Sequence, residues 1–167
     1  MLLSYKYINS PVGQLKLVAN ENALVAVLWD NENPKRVRLA ELVEQTEHPV
    51  LLKTEHPVLL KTEQQLKEYF EGTRREFTLP LDFEGTAFQK QVWAALLSIP
   101  YGETRSYKEV AVQIGNEKAV RAVGAANGKN PISIIAPCHR VIGAGGALVG
   151  FAGGLDKKDI LLKLEQQ

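Results

Sequence analysis

Residues 106–126 read SYKEVAVQIGNEKAVRAVGAA, and the punctuation of this stretch decides the fold of the second half of the chain. Ser106 followed three residues later by Glu109 has the form of a capping box, in which the hydroxyl accepts from a free N–H of the first turn and the carboxylate reaches back to the cap. A helix opens there, and Gly115 is suited to end it. Asn116 then caps a second helix over about Glu117–Ala126, after a turn of about three residues that contains glycine. Two helices joined in this way form a helix-turn-helix. The second is thin: Ala119, Ala122, Gly124, Ala125 and Ala126 are all small, and Arg121 is the only long side chain after Lys118. Two readings of so thin a helix stand side by side. It packs tightly against a neighbour, or its exposed face enters a groove of DNA.

Working outward, Thr86-Ala87-Phe88-Gln89 repeats the capping-box form, and Phe88, Val92, Leu96 and Leu97 build one apolar face up to the break at Pro100. A unit therefore starts near Gly85, dividing the chain into domains at 1–84 and 85–167. In the first, residues 2–8, 13–19 and 23–29 are apolar runs separated by Asn9-Ser10-Pro11 and Asn20-Glu21-Asn22, the pattern of a β meander. Pro34 suits a first helical position, and Val37, Leu39, Leu42 and Val43 extend a helix over about 34–45. Residues 46–53 and 54–61 are the same octapeptide, Thr-Glu-His-Pro-Val-Leu-Leu-Lys. Two copies are too few and too short to stack as a solenoid. Pro49 and Pro57 interrupt a continuous helix, so the segment reads as a connector, with helix resuming near Leu59 and running to Phe70.

Composition narrows the function. The chain has 167 residues, 45% hydrophobic and 23% charged, ordinary for a globular protein. Lys6 follows Met1 too closely for a signal peptide, and no apolar run approaches the ~20 residues of a membrane span, so a cytoplasmic protein is expected. A single cysteine, Cys138, precludes an internal disulfide and a cysteine-paired zinc site, and with only three histidines no metal and no cofactor are expected. Residues 1–85 carry 10 Lys/Arg against 13 Asp/Glu, whereas residues 86–167 carry 10 against 6, so a polyanion would meet the second half.

The apolar stretch Ile132–Ala136 delivers the chain to Pro137-Cys138-His139-Arg140. A free thiol is only a few per cent thiolate at neutral pH, and cationic neighbours raise that fraction. His139 and Arg140 supply a field of that sign, and a histidine held by a carboxylate can take the proton. The alternative is a buried, inert thiol.

Pro137-Cys138-His139-Arg140-Val141, with Asn130-Pro131 before it and Gly150-Phe151-Ala152-Gly153-Gly154 after it, closely resembles the active-site signature of the O6-alkylguanine-DNA alkyltransferases. The likeness extends from Phe88-Gln89 through Pro100-Tyr101-Gly102 and Arg121-Ala122-Val123-Gly124 to Leu161-Leu162-Lys163-Leu164-Glu165. It implies a small α/β first domain with a ribonuclease H-like sheet and a mainly α second domain carrying the helix-turn-helix. It also implies transfer of an alkyl group from O6 of guanine in double-stranded DNA, with O4-alkylthymine a second candidate lesion, by a protein that is monomeric when free.

By the same resemblance Cys138 is the acceptor, His139 the base acting through a water, and Glu165 the group that orients the imidazole. Asn130 is the hinge, Tyr107 helps to turn the nucleotide outward and donates to the departing base, and Arg121 fills the vacated space. The DNA-facing set is Arg121, Tyr107, Ala122, Ala125, Ala126, Lys129 and Arg140, and the base pocket is Tyr107, Val141, Phe151, Ala152 and Gly153. Phe151 departs from the pattern, since many members carry tyrosine there and one hydroxyl is lost. The glycine-rich wing at 143–146 has no basic residue, which leaves phosphate contacts to Arg140, Lys129 and backbone amides. A non-catalytic sensor of alkylated DNA lacks the acceptor cysteine, and a cysteine hydrolase has no use for Tyr107 or the thin helix.

Overall fold

A computed structural model describes residues 3–32, 36, 50–52, 56–146 and 151–167. The chain divides into two compact units, Met1–Glu84 and Gly85–Gln167.

In the first unit, β1 (Leu3–Ser10), β2 (Gly13–Ala19) and β3 (Leu24–Trp29) form the antiparallel meander, and β4 (Val50–Leu52) joins it in the order β3-β2-β1-β4. The turns are made by side chains that mimic backbone. Ser10 Oγ accepts from the Val12 amide, and Asn20 Oδ1 accepts from the amides of Asn22 and Ala23. Every residue of β3 is buried although the strand lies at the sheet edge. Residues 80–82 cover that edge, with the Leu24 amide donating to Pro80 and the Asp82 amide to Leu24. Leu3, Val18, Val25, Ala26 and Leu28 form a core cluster on which Tyr5 packs.

The duplicated octapeptide overturns the connector reading. Its first copy supplies β4, parallel to β1 with Leu3 opposite Val50. Its second copy starts α1 (Pro57–Phe70): His56 Nδ1 accepts from the Val58 amide, and Pro57 occupies the first turn, where its missing N–H costs nothing. Leu59, Leu66 and Tyr69 bury one face of α1. Identical residues thus form strand in one place and helix in the other. The expected helix at 34–45 lies outside the described residues, apart from Arg36.

In the second unit, α2 (Ala87–Leu97) and α3 (Tyr107–Gln113) open on the two expected capping boxes, Thr86 with Gln89 and Ser106 with Glu109. Both pack on α4 (Val120–Gly128). Trp93 of α2 is 1% exposed and its indole N–H donates to the Ala126 carbonyl at 2.8 Å. Gly85 makes room for that ring: a Cβ at this position would stand 2.5 Å from it. Helix α3 ends in a Schellman turn, with the Asn116 amide donating to Ala111, the Gly115 amide to Val112, and Gly115 at φ +79°. The Asn116 carbonyl accepts from the Ala119 amide in a single turn over 116–119, and α4 begins at Val120 rather than Glu117, so the connection is longer than the three residues expected.

A two-residue parallel ladder pairs β5 (Arg105–Ser106) with β6 (Val141–Ile142). Finally α5 (Leu155–Leu164) packs against the 3-10 turn at Cys138–Arg140. No helix among the described residues is long and apolar enough to cross a membrane.

Candidate active site

The short β5–β6 ladder positions the site. Ser106 pairs with Ile142, so Tyr107, the next residue, starts α3 beside the segment that carries Cys138. Burial raises the Tyr107 pKa above its usual value, the neighbouring Cys138 raises it further, and a hydrogen bond with Asn127 opposes both. Phenol and thiol therefore share one electrostatic neighbourhood, and the phenol is held as a proton donor.

Cys138 is 4% exposed and sits at the start of the 3-10 turn. Asn130, fully buried, ties down the approach: its Nδ2 donates to Ala136 O at 2.8 Å and to Ile132 O at 3.5 Å, and its Oδ1 accepts from the Ile132 amide at 3.1 Å. The clamp reaches from residue 132 to residue 136, along the segment that leads to Cys138.

His139 and Glu165 are buried together. His139 Nε2 lies 2.7 Å from Glu165 Oε2, while Arg140 Nε and Nη2 donate to the same carboxylate at 2.8 and 3.0 Å. Arg140 Nη1 also donates to Ile99 O, and its guanidinium lies 5.7 Å from the Tyr101 ring centroid. Burial lowers the His139 pKa and outweighs the raising effect of Glu165, so a neutral imidazole is favoured despite the ion-pair distance. A carboxylate can only accept, so Nε2 carries the hydrogen and Nδ1 holds the free lone pair. That Nδ1 is buried with no hydrogen-bond partner among the described residues.

Stability should follow this histidine. Its pKa in the folded state lies below the unfolded value of 6.5, so the unfolded chain binds the extra proton as pH falls through 6.5. The stabilisation present above pH 6.5 is lost on acidification, by at most about 1.4 kcal/mol per pH unit for one group. Thermal melts of the wild type and His139→Gln between pH 5 and 8 check this, the variant being expected to flatten that slope. An equal slope in both would remove His139 as its source.

Two residues beside Cys138 lie outside the motifs from which the site was expected. Lys158 is fully buried, and its Nζ donates to Val141 O at 2.6 Å. Burial lowers its pKa, and the charge of Cys138 works against that lowering. A cation enclosed beside a thiol favours the thiolate. The signal was present: Lys158, Leu161 and Glu165 recur at i, i+3 and i+7, so one face of α5 presents a lysine and a carboxylate to the Cys138–Val141 segment. Asn127, the other, is buried on α4 and donates to Cys138 O at 3.4 Å.

Two expectations are corrected. Arg140 is 6% exposed and committed to Glu165 and Ile99, so it is withdrawn from the DNA-facing set. Ala126 is 3% exposed beneath Trp93 and is withdrawn too. Arg121, Ala122 and Ala125 do lie exposed on one face of α4, with Lys129 exposed at its C-cap, so the helix is at once packed on one side and open on the other. Val141 is fully buried, Phe151 and Ala152 are half-buried, and Gly153 is buried ahead of α5.

Comparison with known proteins gives a consistent result over both units. Residues 87–167 match the family described as 6-O-methylguanine DNA methyltransferase, DNA binding domain, and residues 3–83 match its ribonuclease-like domain. The methylated-DNA–protein-cysteine methyltransferase of Methanosarcina barkeri is 47% identical over 163 residues, covering 97% of this chain and 96% of its own length. That of Mycobacterium tuberculosis is 46% identical over 167 residues, covering 99% and 93%. The crystal structure of Mycobacterium tuberculosis OGT in complex with DNA has a TM-score of 0.85 at 44% identity, covering 98% of this chain and 92% of that one. The crystal structure of Mycobacterium tuberculosis O6-methylguanine methyltransferase has a TM-score of 0.82 at 45% identity, covering 99% and 93%.

Proposed function

The chain belongs to the 6-O-methylguanine DNA methyltransferase family, and from that premise we infer that it repairs DNA directly, moving the alkyl group of O6-alkylguanine in duplex DNA onto its own Cys138. The observation that carries the assignment of roles is the convergence of Cys138, His139, Glu165, Tyr107 and Lys158 on one buried segment.

The alkyl carbon is out of reach inside a stacked duplex, so the nucleotide must turn outward, at a cost of a few kcal/mol. Arg121, exposed on α4, offsets that cost by filling the space left behind. Ala122 and Ala125 let the helix approach closely, and Lys129 meets phosphate. Nδ1 of His139 takes the thiol proton through a water, and Lys158 favours the resulting thiolate. Sulfur attacks the alkyl carbon in line, the C–O6 bond breaks, and its electron pair passes to the guanine, which Tyr107 stabilises by donating a hydrogen bond as the charge develops. The base then takes up a proton and returns to ordinary guanine. Val141, Phe151, Ala152 and Gly153 wall the base pocket. A thioether is a poor leaving group, and the sequence has no second cysteine to remove the alkyl group. Each molecule therefore acts once. Retention of a reduced thiol and access to DNA favour the cytoplasm as its location.

The test is intact-protein mass spectrometry after incubation with a duplex carrying one O6-methylguanine, followed by peptide mapping. One methyl group should appear on the Cys138 peptide and uptake should cease at one equivalent. No mass gain with lesion-selective binding retained would instead indicate a sensor. Arg121→Ala separates turning out from chemistry. It should slow reaction with the duplex about tenfold or more while leaving reaction with free O6-benzylguanine within about twofold, since only the duplex requires unstacking. Equal losses on both substrates would remove Arg121 from that role.

A further inference from the structure

Residues 132–138 hold one backbone conformation that the chemistry above does not use. Ile134 has φ +73° and is the only non-glycine with positive φ among the described residues. The amide of Ile135 donates to Ser133 O at 2.9 Å across it, so Ile134 is the central residue of the rare γ-turn with positive φ, a strained form that a β-branched side chain particularly disfavours. Directly after it, Pro137 at φ −80° and ψ 68° centres the relaxed, inverse γ-turn, closed by the Cys138 amide donating to Ala136 O at 2.8 Å. Between the two turns the Ala136 amide reaches Ile132 O at 3.0 Å. The thiol residue is thus placed by two successive γ-turns, one of them strained. Local preference does not choose the strained one. Ile132, Ile134 and Ala136 are fully buried, so the conformation persists because the Ile134 side chain is anchored in the core while Asn130 holds the segment at residues 132 and 136.

We propose that Ile134 is a positioning residue for alkyl transfer: anchoring its side chain forces the positive φ that sets where the Pro137 turn delivers the Cys138 sulfur. This rests on Cys138 being the acceptor. If the anchor is removed, a residue that resists positive φ lets the segment relax and the sulfur shift. Glycine, which accepts positive φ freely, leaves the segment where it was.

The experiment compares Ile134→Val, Ile134→Ala and Ile134→Gly in the full chain. The single-turnover rate constant is measured at saturating free O6-benzylguanine, well below each melting temperature, with melting temperature and pH profile recorded alongside. Ile134→Val keeps the branched anchor and stays near the wild-type rate. Ile134→Ala falls about tenfold to a hundredfold, the loss typical of a small misplacement of a reacting group. Ile134→Gly, although it loses more packing, recovers most of that rate, and the shape of the pH profile is unchanged throughout. A purely packing role gives the reverse order, with glycine as slow as alanine or slower, and overturns the proposal. So do equal rates in all variants, or a valine variant as slow as alanine. If alanine does not fold, a folded glycine variant at near wild-type rate still supports the proposal, and a folded glycine variant that reacts slowly overturns it. If the wild type takes up no benzyl group, the same series is read with an O6-methylguanine duplex, and only a wild type that takes up an alkyl group from neither substrate means that the acceptor assignment itself has failed, an outcome distinct from all of the above.

Discussion

Cys138→Ala should take up no alkyl group from duplex DNA, at any time or protein excess, while binding the same duplex with nearly the affinity of the wild type. The proposed chemistry and the proposed DNA contact reside on different elements. Cys138 is 4% exposed in the 3-10 turn, whereas Arg121, Ala122 and Ala125, which we propose meet DNA, lie exposed on α4. Removing one sulfur atom leaves a very small void, so stability should change by about 1 kcal/mol or less. Quantitative mass spectrometry with an electrophoretic binding assay on the same sample decides the matter. Stoichiometric uptake by the variant would mean that another atom is the acceptor. Loss of binding together with transfer would mean that the segment also shapes the DNA-facing surface. Cys138→Ser should be as inactive as alanine, because a hydroxyl at neutral pH is a far weaker nucleophile than a thiolate.

Glu165→Ala carries the second large effect, and it falls first on stability. The carboxylate is buried and accepts from Arg140 twice and from His139 once. Among the described residues, truncation leaves a buried guanidinium with only Ile99 O and the Tyr101 ring for company. Breaking a buried ion pair on one side typically costs about 3–5 kcal/mol. In a unit of this size that lowers Tm by on the order of 10 to 40 °C, measurable by calorimetry. Glu165→Gln keeps shape and one acceptor, and should recover part of the loss. Transfer should slow in both variants even where they are fully folded, because Nε2 of His139 loses the acceptor that fixes its tautomer. A Glu165→Ala variant with Tm within about 3 °C of wild type would show that the buried network is not what holds α5 against the active-site turn.

How much of this was legible in the sequence depended on whether a feature is set locally. Capping boxes at Thr86 and Ser106 are local, and both helices start where the residues say. Asn116 was misread because a residue that can cap a helix can equally open a turn, and it opens the turn over 116–119 that precedes α4. The octapeptide is the sharper case. Val50-Leu51-Leu52 and Val58-Leu59-Leu60 are identical in sequence and opposite in structure, so no local rule could have assigned both. The second continues into Leu66 and Tyr69 at helical spacing, whereas the first finds a partner in β1. At the site, Cys138, His139 and Glu165 were readable from motif. Burial was not, and burial withdraws Arg140 and Ala126 from the DNA-facing set and brings in Lys158. Whether a charged residue faces solvent or its own core is decided by tertiary packing that no single segment encodes.

The enclosure of Cys138 also bears on the interval before any lesion is met. A reagent that can be spent only once must survive idleness. Oxidation and adventitious alkylation of thiols follow thiolate character and access together. Lys158 favours the first only once His139 has taken the proton, and the walls around a sulfur on a residue 4% exposed withhold the second. The protein can thus keep its nucleophile ready to ionise without leaving it open to every small electrophile in solution. Its working life is then set by encounters with substrate rather than by time in storage.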